Sequence, residues 1–244
     1  MNWNNRQPLR GLLFDYGGTI DTNGRHWAEV LWDAYVSHEI PVSKEAFREA
    51  YIQGERYLAT HPVIRPCDTF RDVLTAKTQF QIQWLIHNGF LIKNAHSSTY
   101  PLMISNQCYT FAQIVLQNSV KVLQKLASQF PLGLVSNFYG NLETVLNEFG
   151  LSTYFQSVVE SAVVNVRKPD PAIFDRAVKA LGMQPGEVAV IGDSYSKDIV
   201  PAHTLGCRTV WLKGDVYDKQ DTGTAADAVI QDLNELLIIF NVNK

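Results

Sequence analysis

Two short apolar runs in this chain end near aspartates, and acids so placed can do chemistry. Leu12-Leu13-Phe14 runs into Asp15, and Val188-Ala189-Val190-Ile191 runs through Gly192 into Asp193, with Asp198 five residues further on. An apolar run closed by glycine and polar residues reads as a buried strand ending in a loop, and open α/β sheets carry their chemistry at the carboxyl ends of such strands. A carboxylate such as Asp15 can attack phosphorus there, forming an aspartyl phosphate that water later hydrolyses. Asp193 and Asp198 are hard oxygen donors. Joined with Asp15 they make three carboxylates that repel one another unless a cation stands among them, and magnesium suits such a donor set. Each also has a plainer reading when taken alone: Asp15 before Tyr16-Gly17-Gly18 as a turn acid, and Asp198 before Ile199-Val200 as a helix N-cap.

The elements that must position these residues follow from the apolar pattern. Leu132-Gly133-Leu134-Val135 before Ser136-Asn137 repeats the grammar of a buried strand delivering polar groups at its end. Residues 158–160 and 209–212 read as further strands, with helical periodicity at 120–129, 142–149, 171–181 and 199–205. Alternating strand and helix implies an α/β fold with a doubly wound parallel sheet.

Between these parts the grammar changes. Helical stretches at 27–38, 44–59, 68–88 and 107–117 dominate, broken by Pro41, by Pro62 and Pro66, and by Gly89 and Pro101, with no buried strand among them. Phe47, Tyr51, Gly54 and Leu58 recur at helical spacing, which reads as a face packed on its neighbours, although Gly54 weakens the helix. The expected division is a core of residues 1–22 and 117–244 carrying a helical cap of residues 23–116.

Four separated segments, in this order, resemble the haloacid dehalogenase superfamily of hydrolases. They are Phe14-Asp15-Tyr16-Gly17-Gly18-Thr19, Val135-Ser136-Asn137, Arg167-Lys168-Pro169-Asp170-Pro171-Ala172-Ile173-Phe174, and Ile191-Gly192-Asp193-Ser194-Tyr195-Ser196-Lys197-Asp198. The resemblance covers the core and implies a Rossmann-like sheet with the helical insert as its cap. It implies Asp15 as nucleophile, and Mg2+ held by Asp15, the Gly17 carbonyl and Asp193, with Asp198 as a ligand or as support behind them. It also implies Ser136 and Lys168 on the transferring phosphoryl group, Lys168 steadying the nucleophile, and Asn137 shaping the loop. Alone, Ser136 reads as a capping residue and Lys168 as a surface lysine.

The sequence departs from the phosphatase branch at one position. Two residues after the nucleophile that branch usually carries a second Asp, which protonates the leaving oxygen and then activates water; here it is Gly17. Three outcomes stay open. The chain could hydrolyse substrates with good leaving groups or borrow an acid from the cap, where His26, Tyr35, His38 and His61 are candidates. It could belong with dehalogenases or phosphonoacetaldehyde hydrolases; the former work without the metal that two further acids imply, and the latter need a Schiff-base lysine such as Lys44, Lys77 or Lys93. It could be a silent relative that binds a phosphorylated ligand or a protein, although such a binder has no need of nucleophile, lysine and metal acids together. The expected activity is that of a Mg-dependent phosphatase acting on a small phosphorylated metabolite. Arg25, His26, Trp27, Arg56 and Arg65 are candidate selectors of it in the cap.

Composition narrows the classes further. The 244 residues are 46% hydrophobic and 18% charged, which excludes a disordered chain. Lys and Arg number 21 against 24 acids with no basic cluster, so no nucleic-acid partner is expected. Apolar runs such as Leu236-Leu237-Ile238-Ile239-Phe240 are too short for a membrane span, and the polar start MNWNNRQPLR lacks a signal-peptide core. Three widely separated cysteines, Cys67, Cys108 and Cys207, fit reduced thiols and a cytoplasmic location.

Overall fold

The computed structural model describes residues 8–214 and 224–242; the ends of the chain and residues 215–223, which fall within the expected core range, lie outside the described residues. Strand β1, Gly11–Phe14, is apolar and buried on both faces, as the centre of a parallel sheet requires. Five more strands follow: β2 (Leu132–Ser136), β3 (Phe155–Glu160), β4 (Val188–Gly192), β5 (Arg208–Leu212) and β6 (Ala228–Ile230). All pair in parallel in the order β3-β2-β1-β4-β5-β6. Phe14 lies in register with Leu134 on one side and Ile191 on the other, so three strand ends finish side by side. The chain leaves β1 for β2 on one side and places β4 on the other, which makes this the switch point of the sheet.

Side chains of β1 alternate between two cores. Leu12 and Phe14 join one with helices from the first half of the chain, and Leu13 joins the other with Ile173, Phe174 and Ala177. Four long helices lie between β1 and β2: α1 (Trp27–Ser37), α2 (Lys44–Thr60), α3 (Phe70–His87) and α4 (Tyr100–Ala127). Their starts are set by local chemistry. Ser43 accepts from the Ala46 N–H, and Thr69 and Asp72 form a reciprocal capping box. On α2 the expected stripe is inward, with Phe47, Gly54 and Leu58 buried. A methyl group on Gly54 would stand 3.3 Å from the Phe80 ring of α3, so the small residue lets the two helices close.

One expectation is corrected. The two helices expected at 107–117 and 120–129 are one, α4, because no glycine or proline separates residues 117 and 120, and it begins earlier than expected because Pro101 starts it. A proline in the first turn costs no backbone hydrogen bond, and no breaker follows it before residue 127. The helix runs straight through residue 117, where the sequence reading divides cap from core. Among the described residues five shorter helices follow: α5 (Leu142–Glu148), α6 (Ser161–Val164), α7 (Ala172–Ala180), α8 (Val200–Leu205) and α9 (Glu235–Ile239). The apolar run at 236–240 forms most of α9 and buries Leu236 and Phe240. Among the described residues no helix is long and apolar enough to cross a membrane.

Candidate active site

The loop after β1 turns sharply through Tyr16–Ile20. Gly18 adopts φ +96°, and a β-carbon there would overlap the Asp193 carboxylate. Gly192, at the end of β4, leaves the same kind of space for Asp198. These two glycines let three acids pack against one another: Asp15, Asp193 and Asp198 present oxygens all within 4.8 Å.

A lysine and a serine close the cluster. Lys168 reaches it from the loop before α7, its Nζ 2.6 Å from Asp15 Oδ1 and 2.6 Å from Asp198 Oδ1, with 3% of the side chain exposed. The Ser136 hydroxyl, at the end of β2, donates to the same Asp15 oxygen at 3.1 Å. Asn137 fixes the lysine's backbone, donating to the Lys168 carbonyl at 3.1 Å and accepting from its N–H at 2.9 Å. Asp198 Oδ2 accepts from the Ser194 N–H, so both of its oxygens are engaged. The recorded bonds to Asp15 converge on Oδ1 and leave Oδ2 to the cavity that Asp15 lines. The residues singled out in four distant segments thus come together at one place.

The electrostatics follow from burial and crowding. Burial, then the charges of Asp15 and Asp198, push the Asp193 carboxyl well above the usual carboxylate range. Burial raises Asp198 to about 6 despite the pull of Lys168. Burial alone would lower Lys168, but Asp15 and Asp198 outweigh it and hold its ammonium charged. Among the described residues three carboxylates face the one ammonium of Lys168, a donor set short of two positive charges.

A cavity of about 550 Å³ opens above the cluster, and His26, Trp27, Tyr51, Glu55, Arg56 and Lys77 form part of its wall. Of the candidate proton donors, His26 alone lines it. Tyr35 is buried and donates to Gln81, His38 follows α1, and His61 stacks on Tyr57 at the end of α2. Of the candidate lysines only Lys77 lines the cavity, since Lys44 pairs with Glu29 and Lys93 is exposed elsewhere. Among the candidate selectors Arg25 pairs with Asp33 and Arg65 with Asp68, and neither lines the wall.

His26 caps α1 by accepting from the Ala28 N–H at 3.1 Å, so the ring proton sits on Nε2. Burial, reinforced by Lys197, lowers its pKa to about 4. A base depressed in the folded state stabilises the fold fully above about pH 6.5, and that stability is lost as pH falls toward 4. Asn is an equally good cap and does not titrate. In urea unfolding at about pH 7.5 and about pH 4.5, His26→Asn is therefore expected to lose up to about 3 kcal/mol less than the native chain. Reading the difference between the two proteins cancels other titrating groups, and an offset equal at both pH values would overturn the assignment.

Three participants escaped the sequence reading. The Thr19 hydroxyl donates to Asp193 Oδ1 at 3.1 Å and accepts from the Asp193 N–H at 3.0 Å. Buried Asp21 accepts from the Gly18 N–H at 2.7 Å and the Trp27 indole at 2.9 Å, tying the catalytic loop to α1; burial raises its pKa to about 7. Tyr139, three residues after Ser136, donates to Glu55 of the cap at 2.7 Å. The polar Asp21-Thr22 pair directly after the loop was the one local signal available; contacts across 84 residues leave none.

An aspartate at the end of a central parallel strand, paired with a lysine and beside two further acids from a neighbouring loop, is the arrangement of a hydrolase of this fold. The chain belongs to the haloacid dehalogenase-like hydrolase family, whose model matches residues 9–206. It is 38% identical over 243 residues to haloacid dehalogenase-like hydrolase domain-containing protein 3 of Danio rerio, covering 95% of this chain and 96% of that one. Over 241 residues it is 25% identical to the phosphoglycolate phosphatase of Yersinia pestis, covering 95% and 93%. Among solved structures, a dehalogenase with an intermediate complex shares the fold, with a TM-score of 0.66 at 19% identity, covering 96% of this chain and 97% of that one.

Proposed function

We propose that the protein is a magnesium-dependent phosphatase acting on a small phosphorylated metabolite through an aspartyl phosphate on Asp15. The observation that carries this reading is the charge of the cluster: Asp15, Asp193 and Asp198 within 4.8 Å of one another and, among the described residues, Lys168 ion-paired with two of them. That deficit fits a divalent cation held by Asp15, the Gly17 carbonyl and Asp193, with Asp198 orienting Lys168 behind them. When bound, magnesium would offset the charge of the phosphoryl oxygens.

The chain's own groups supply the remainder. Lys168 and Ser136 hold Asp15 Oδ1, so Oδ2 is the oxygen aimed to attack phosphorus. As the Oδ2–P bond forms, the P–O bond to the leaving group breaks and its electron pair departs with that oxygen. Lys168, with a third N–H beyond those on Asp15 and Asp198, would donate to a phosphoryl oxygen, and the Ser136 hydroxyl would do so by turning its single O–H from Asp15 to the phosphate. Water then attacks the phosphorus of the acyl phosphate, releasing inorganic phosphate and restoring the Asp15 carboxylate.

No side chain at Gly17 can protonate the leaving oxygen, and neutral His26 is not an imidazolium acid, so substrates with good leaving groups are favoured. The phosphonate alternative is disfavoured because Lys77, the one cap lysine in the cavity, is ion-paired and charged. Free thiols at Cys67, Cys108 and Cys207 fit a cytoplasmic setting. Phosphate release from a panel of acyl phosphates and esters, with and without Mg2+, tests the reading. Magnesium-dependent release is expected; metal-independent halide release from a 2-haloacid, with no phosphate from any ester, would overturn it.

A further inference from the structure

We infer that the cap selects a phosphate ester whose leaving group carries a second anion, a carboxylate or another phosphate, and that Lys77 is the specificity residue that meets it. The inference rests on the phosphatase reading above and concerns the wall of the cavity that the cap helices supply.

Lys77 lies on α3 with 11% of its side chain exposed, and its Nζ stands 2.8 Å from Glu55 Oε1 of α2. The other Glu55 oxygen accepts from the Tyr139 hydroxyl of the core at 2.7 Å, and the Tyr139 ring centroid is 5.1 Å from the ammonium. A buried lysine survives as a cation only where a partner compensates its lost hydration. Here Glu55 does so, and the raised pKa of Lys77 keeps the amine protonated, unable to attack a carbonyl. An ammonium has three N–H donors, and its ion pair with a single carboxylate oxygen leaves donors for a ligand in the cavity that Lys77 lines.

The surrounding charge points the same way. Apart from Lys168 and the aspartate cluster, the described cavity wall carries Arg56, Lys77, Arg167, Lys197 and Lys213 against the carboxylates Asp21 and Glu55. Both carboxylates are already engaged, Asp21 by the Gly18 N–H and the Trp27 indole, Glu55 by Lys77 and Tyr139. A cationic tail would meet repulsion there. A neutral tail would displace water from charged donors without replacing its hydrogen bonds, and sites built to bind a polar group reject analogues that lack it.

The test compares 2-phosphoglycolate, ethylene glycol bisphosphate, ethyl phosphate and phosphoethanolamine as anionic, anionic, neutral and cationic tails. Turnover is measured with the native chain, and binding with Asp15→Asn in the presence of Mg2+. Native kcat/KM and Asp15→Asn affinity are expected to favour one or both anionic tails over ethyl phosphate by roughly 10- to 100-fold. That ratio is expected to collapse in Lys77→Met and to be restored in part by Lys77→Arg. Because Lys77→Met leaves the Glu55 carboxylate without its counter-ion, Lys77→Met/Glu55→Gln, which removes both charges, is measured beside it. Preference for the carboxylate alone, or for the bisphosphate alone, identifies which anion the site takes. Equal affinities across all tails, or a preference that survives Lys77→Met, overturns the inference even where phosphate release is intact. Absent phosphate release with an anion preference that depends on Lys77 would instead sink the phosphatase reading and leave the selectivity standing.

Discussion

Asp15→Asn is expected to abolish magnesium-dependent phosphate release, a loss on the order of 10⁴-fold or more, while leaving the fold intact. The amide matches the carboxylate in shape and can still accept from Ser136 at Oδ1, so packing around the 7%-exposed residue is preserved. What it loses is the electron pair aimed at phosphorus. Thermal melting monitored beside the assay separates lost chemistry from lost structure. Substantial residual turnover in a folded Asp15→Asn protein would mean that the covalent step lies elsewhere and the proposed mechanism is wrong.

The second large effect is a gain. Gly17→Asp is expected to raise phosphate release from alkyl esters by about 10²–10⁴, the usual contribution of general acid–base catalysis. The backbone is ready for it: Gly17 has φ −77° and ψ 115°, ordinary for any L-residue, and a β-carbon there would meet nothing within 4 Å. The gain should be concentrated on poor leaving groups. An alkoxide must be protonated as it departs, whereas an acyl phosphate releases a stable carboxylate, so acetyl phosphate should respond far less. A folded Gly17→Asp protein with unchanged rates on both would show that proton transfer does not limit the native chain.

Much of the core was readable because its residues are constrained locally. Strands β1, β2 and β4 are buried on both faces, so each is an uninterrupted apolar run, and each ends at the polar residues that the site uses. The third strand was found only at its inner end, because its outer half alternates with solvent, and three-residue β6 is too short for periodicity to mark. Pro101 was misread because a proline looks alike whether it ends a helix or begins one. The cap's share of the site was the least legible. No local motif selects Lys77 over Lys44 and Lys93; it stands out only when α2 brings Glu55 beside it and the core brings Tyr139.

Helix α4 changes what kind of mechanical object this protein is. Its 28 residues make a beam about 42 Å long that starts among the cap helices and ends beneath the sheet. Along the way Ser119 donates to the Ile20 carbonyl at 2.7 Å, at the end of the loop that carries Gly17 and Gly18. A roof riveted to such a beam does not swing like a door. A sharp kink at mid-length would break backbone hydrogen bonds, so the continuous helix favours displacement by α1, α2 and α3 sliding over it, a shear, above a hinge through it.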